Sequence, residues 1–148
     1  MNPDSSFSRP DAALVALRPT VVTEAAPAAA GSAPSVGDFL HLTLRPVLKL
    51  QNDLLLAAVA DFVADHHIPL AKASPADQQR LLTELLGRNT KLRYTLVGLI
   101  TGFFTREEYG FYRQHRGEVN RRLHELAQRR VLDQTGRVVE LTAANSNS

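Results

Sequence analysis

Apolar residues recur at helical spacing through the middle of this chain, and no stretch alternates long enough to build a sheet. Residues 53–66 carry Leu54, Leu55, Leu56, Val59, Phe62 and Val63 around most of a helix, with Asn52 as cap and Asp53 in the first turn. A helix so broadly apolar belongs at the centre of a fold. Ile68-Pro69 ends it. Before it, Pro46 fits a helix start but not a helix interior, which leaves a short helix from Arg45 or an extended lead-in.

Ser74 caps the next helix, Pro75 takes its first position, Asp77 is placed for a capping box and Gly87 follows the last leucines. Leu81, Leu82, Leu85 and Leu86 form its buried stripe. Asn89 or Thr90 caps a further helix to about Gly102. Thr105-Arg-Glu-Glu108 is a second capping box, with Phe104 placed to staple against Tyr109. Beyond it Tyr109, Tyr112, Val119, Leu123 and Leu126 share one helical phase. Gly110 and Gly117 each cost about 1 kcal/mol inside a helix, which favours a break near His115–Gly117 over one long helix. The expectation is a compact all-α domain of four to five helices, with residues 53–66 and 89–102 central and 105–131 wrapping them.

Five of the eight prolines precede residue 38, amid Ala, Ser and Gly. Such a segment buries too little apolar surface to offset its ordering entropy, so residues 1–37 read as a disordered arm. Residues 38–132 form the helical domain and 133–148 a flexible tail, in which Val138-Val-Glu-Leu141 is a stray strand signal without a partner. The absence of cysteine removes disulfides, thiolate metal sites and thiol nucleophiles. The longest apolar run, residues 94–104, falls short of the roughly 20 residues of a membrane span. With no signal-peptide pattern at the start, a cytoplasmic protein is expected.

The formal charge of +2 hides an asymmetry. Residues 88–130 hold ten Lys/Arg against four Glu, net +6, leaving −4 for the rest of the chain. Arg113, Arg116, Arg121, Arg122, Arg129 and Arg130 make the candidate interaction surface, with Tyr109 and Tyr112 as possible stacking residues. Salt bridges to Glu118 and Glu125, and a general preference of this chain for Arg over Lys, explain part of that cluster without a ligand. Gly98 and Gly102 form a small-residue seam on an apolar helix, for packing within the core or against a second copy.

No residue set carries catalysis. Adjacent Glu107 and Glu108 point about 100° apart on a helix and are accounted for as first-turn and capping residues. His115 and Glu118 share a face at a spacing of three, yet two ligands are short of the three typical of catalytic zinc. His66 and His67 favour the negative end of a helix dipole. No metal, cofactor or catalytic residue is assigned.

Leu44-Arg-Pro-Val-Leu-Lys49, Lys91-Leu-Arg93, Gly98-x-x-x-Gly102-x-Phe104-Thr105-x-Glu107-Glu108-Tyr109, Tyr112 and Asn120-Arg-Arg122 together resemble a group of short bacterial proteins, some labelled "glyoxalase". The likeness spans residues 41–131 and implies no residue roles. Glyoxalase I folds deliver His and Glu from paired strand units, and glyoxalase II needs a His-x-His-x-Asp-His cluster. Neither pattern occurs here. The sequence therefore reads first as a non-enzymatic module that self-associates or docks a protein partner through its last helical segment. Nucleic-acid binding through the arginine-rich helix is the alternative, and a glyoxalase-like enzyme, on the label alone, comes third.

Overall fold

The computed structural model describes residues 8–21 and 34–146, and among them every regular element is helical. The all-α expectation holds. In chain order the elements are α1 (Asp11–Ala16), α2 (Val36–Phe39), a π-helical turn (Leu40–Leu44), α3 (Arg45–Leu50), α4 (Asn52–Asp65), α5 (Pro75–Arg88), α6 (Thr90–Thr101), α7 (Arg106–Gln114), α8 (Arg116–Asp133) and α9 (Thr135–Ser146). The short elements and α9 extend the expected four or five.

Helix α4 is the central post, with Leu55, Leu56, Val59, Ala60 and Val63 buried on contacts with α3, α6, α8 and α9. Its C-terminus closes in a Schellman arrangement: the Ile68 N–H donates to Val63 O at 3.0 Å and His67 N–H to Ala64 O at 3.1 Å, with His67 at φ 53°. The signals around α7 act as read, and at α5 the Ser74 cap and Pro75 do so without the reciprocal Asp77 bond of a capping box. Ser74 Oγ accepts from Asp77 N–H, and Thr105 and Glu108 complete a reciprocal capping box. Asn89 alone caps α6, its Oδ1 accepting from Leu92 N–H at 2.9 Å.

Several expectations change. Gly87 does not stop α5, which runs on to Arg88 before Asn89 turns the chain. Pro46 sits in the first turn of the short helix from Arg45, as the first of the two readings has it, but a π-turn and not an extended segment leads into it. The chain is helical from Val36 to Leu50, and the π-turn lies immediately before the proline, which lacks the N–H for a bond to Leu42 and whose ring crowds that carbonyl. Phe104 turns inward onto Phe39 (ring centroids 5.4 Å) and Tyr112 (6.0 Å) and is fully buried, while Tyr109 stays exposed. The break between α7 and α8 falls at His115, whose backbone leaves the helical region as its ring stacks on Phe111 at 4.3 Å.

Both domain boundaries move. Ser35 caps α2 with a reciprocal Asp38 box, so the folded part begins before residue 38. Residues 8–21, within the expected arm, lie on the domain, while 1–7 and 22–33 fall outside the described residues. The expected tail after residue 132 is α9, which packs along α4 with Val138 and Thr142 buried. Its Val138-Val139 pair is helical and covers apolar surface on α4, so tertiary packing overrides the low helix propensity of β-branched residues.

Candidate functional site

Helix α1 contributes no buried residue to the core, and polar contacts hold its segment in place. Arg9 spans the α6–α7 junction, its Nε donating to Phe104 O at 3.0 Å and its Nη2 to Gly102 O at 2.7 Å. Arg18 reaches the same junction from the other end of α1. Its guanidinium grips Glu108 through both nitrogens, at 2.6 and 2.7 Å, and donates to Phe103 O at 2.9 Å. Thr43 Oγ1 donates to the same carboxylate at 3.0 Å and the Thr105 N–H at 2.8 Å. Burial alone pushes the Glu108 carboxyl up, but the hydrogen bonds and charge of Arg18, together with the Thr105 and Thr43 bonds, hold it below the usual carboxylate range. This node joins α1, the π-turn and α7.

Those three elements and α2 enclose a groove of about 680 Å³. Val15, Phe39, Leu42 and Phe111 give it an apolar lining, and Asp11, Asp38 and Glu107 supply carboxylates beside that of Glu108. Val15 and Leu42 are 49% and 68% exposed, large fractions for side chains of this kind. No Lys or Arg lines the groove. It therefore offers apolar contact and negative charge together.

The six arginines singled out from sequence do not form one surface. Arg113 and Arg116 are exposed at the α7–α8 corner, the Arg116 guanidinium 5.6 Å over the Tyr112 ring. Arg121 and Arg122 are exposed and both pair with Glu125, at 3.2 and 3.7 Å. Arg121 faces a second groove between α6 and α8 with Arg93, Tyr94 and His124, where burial and the Arg93 charge lower the His124 pKa. Arg129 and Arg130 lie further along α8, where Arg130 is half-buried and donates to Asn52 Oδ1 at 3.3 Å. The apolar face of α8 is itself committed to the core through Val119, Leu123, Ala127 and Val131.

Gly98 and Gly102 are exposed, and no described helix packs across them. A Cβ at Gly98 would meet open space, whereas one at Gly102 would stand 3.0 Å from the Gly98 carbonyl. Ser8, Arg9 and Pro10, of the segment before α1, share a cleft with both glycines, as do Arg106 and Tyr109 of α7. No core seam forms here among the described residues; residues 8–21 act as a strap that reaches the Gly102 end through Arg9. Among the described residues no three His, Asp or Glu side chains gather as metal ligands. His115 stacks on Phe111, and no bond joins it to Glu118.

The docked segment leaves no local signal in the sequence because its contacts come from two arginines, Arg9 and Arg18, at least 85 residues away from the carbonyls they bind, with no local periodicity to betray them. No protein-family model matches this chain, and neither a curated protein nor a solved structure is significantly similar to it.

Proposed function

We propose that this protein is a non-enzymatic helical docking module, and that the groove between α1, α2 and α7 receives a segment of a partner protein bearing apolar and basic side chains. The observation that carries this reading is the pairing of Val15, Leu42 and Phe111 with a lining whose charged groups are all carboxylates. Charge complementarity selects the occupant: a cationic amphipathic segment satisfies both halves of the groove, whereas an acidic one meets like charge. The last helical segment is less suited to apolar docking, because the apolar face of α8 already packs inside the domain.

The test uses two synthetic helical peptides, one built of Leu and Lys and one of Leu and Glu, titrated against the full chain by fluorescence anisotropy. The Leu/Lys peptide is expected to bind, and Leu42→Asp and Glu107→Lys each to weaken it about tenfold, or 1.4 kcal/mol. Equal binding of both peptides, or equal affinity in both variants, overturns the reading.

A second reading, nucleic-acid binding, is favoured by one observation: Tyr94 stands 71% exposed in the α6–α8 groove between Arg93 and Arg121. An exposed ring among guanidiniums is suited to stacking a base beside a phosphate. Charge reversal at Arg121 and Arg122 is then expected to flatten the salt dependence of single-strand binding by about one to two units of slope. Failure of the chain to bind any DNA or RNA at low salt removes this reading.

A further inference from the structure

A third cavity, of about 290 Å³, lies where α8 meets α3 and the end of the strap, away from the acidic groove. Arg45, Arg129 and Arg130 line it, against one carboxylate, Asp133. None of the three guanidiniums forms an ion pair among the described residues. Its apolar wall is Val21, Leu48 and Leu126.

The placement of Arg130 is built rather than incidental. Asn52 and Gln134 form a reciprocal amide pair, with Asn52 Nδ2 donating to Gln134 Oε1 at 2.9 Å and Gln134 Nε2 to Asn52 Oδ1 at 2.8 Å. The same Asn52 oxygen accepts from Arg130 Nη1, which fixes one donor of five and leaves the rest of the fork for another acceptor. Burial and then the nearby Arg45 charge lower the Arg130 pKa.

We propose that this cavity is a binding site for a small phosphate monoester, its dianion held by Arg45, Arg129 and Arg130 and its organic group against Leu48 and Leu126. Guanidinium forks match phosphate oxygens in bidentate geometry, and a dianion offsets the uncompensated charge of the cluster. The cavity volume stands at the low end for small-molecule sites, which favours a compact monoester over a polymer. The docking reading of the acidic groove is independent of this site.

Isothermal titration of the full chain with phenyl phosphate, inorganic phosphate and a single-stranded oligonucleotide, at fixed ionic strength, tests the assignment. Phenyl phosphate is expected to saturate one site, with inorganic phosphate weaker because it leaves the apolar wall bare. Arg45→Gln is expected to raise the dissociation constant at least about tenfold. Arg129→Gln, at an exposed position, is expected to do the same and stands in if the first variant does not fold. Leu126→Glu should weaken phenyl phosphate more than inorganic phosphate. No saturable binding, unchanged affinity in the folded arginine variants, or an oligonucleotide that binds tighter than the monoester and is lost in the same Arg45 and Arg129 variants each overturns it.

Discussion

Glu108 concentrates more of this fold's polar bonding than any residue beside it, accepting from Arg18, Thr43 and the Thr105 N–H. Removing one partner of so enclosed a pair leaves the other desolvated, the costly half of breaking a buried ion pair. Glu108→Gln keeps an oxygen to accept from the Thr105 N–H, so its cost reports the Arg18 and Thr43 contacts at the other oxygen. That cost is expected to be about 2–3 kcal/mol in thermal melts at neutral pH, discounted from a fully buried pair because both side chains retain some solvent contact. Arg18→Gln should cost a similar amount, and the double variant clearly less than the sum. The pH dependence follows from the lowered carboxyl pKa. The wild-type advantage over Glu108→Gln is full above the ordinary carboxylate range and is lost as pH falls through the lowered folded value. An advantage that grows in acid would contradict the node. His67 gives a second prediction at this scale. It holds φ 53° at the end of α4, a strained region for a non-glycine side chain. Strain relief outweighs the extra unfolded-state freedom, so His67→Gly should raise stability by up to about 1 kcal/mol, read as a higher urea midpoint at unchanged slope.

At the scale of elements, what the sequence revealed and what it hid divide along one physical line. Local chemistry was legible: Ser74 and Pro75 start α5, Asn89 starts α6 and Thr105 with Glu108 starts α7, because capping residues lie within three positions of the groups they satisfy. The break near His115 was legible too, although Gly110 and Gly117, whose cost suggested it, both stay helical, in α7 and α8. Elements ordered by distant partners were not. The strap depends on Arg9 and Arg18 meeting backbone and carboxylate across the fold, and α9 depends on α4. The groove inherits the same limit, since Asp11 and Val15 reach Leu42 and Phe111 only after the strap docks. For α9 the consequence is measurable. Val138 is fully buried and Thr142 nearly so. Val138→Ala should therefore destabilise by about 2 kcal/mol, two methylene equivalents plus a cavity contribution. Truncation after Asp133 should cost far more, since it strips the cover from α4. Unchanged denaturation midpoints for both would mean that α9 contributes nothing to the core.

Across the whole molecule, the asymmetry of charge becomes spatial. Carboxylates gather around the α1–α2–α7 groove, arginines along α8, and the cavity joining α8 to α3 holds three guanidiniums. No described helix is long and apolar enough to cross a membrane. This distribution bears on the glyoxalase-type reaction weighed from the sequence. Isomerisation of a hemithioacetal needs an electrophile to polarise the substrate oxygens and a positioned base to move the proton. Of the histidines and carboxylates, His115 is stacked on Phe111, the His66 Nδ1–H donates to Phe62 O, and Glu108 is spent on Arg18. No trio of such groups converges among the described residues. Purified protein is therefore expected to show no turnover of the methylglyoxal–glutathione hemithioacetal, with or without added Zn²⁺ or Ni²⁺. The measurement that would reverse this conclusion is metal-dependent turnover abolished by His115→Ala or Glu118→Ala. Such a result would require His115 to leave the Phe111 ring and a third ligand to come from another element, and would make the bundle an enzyme scaffold in place of a docking module.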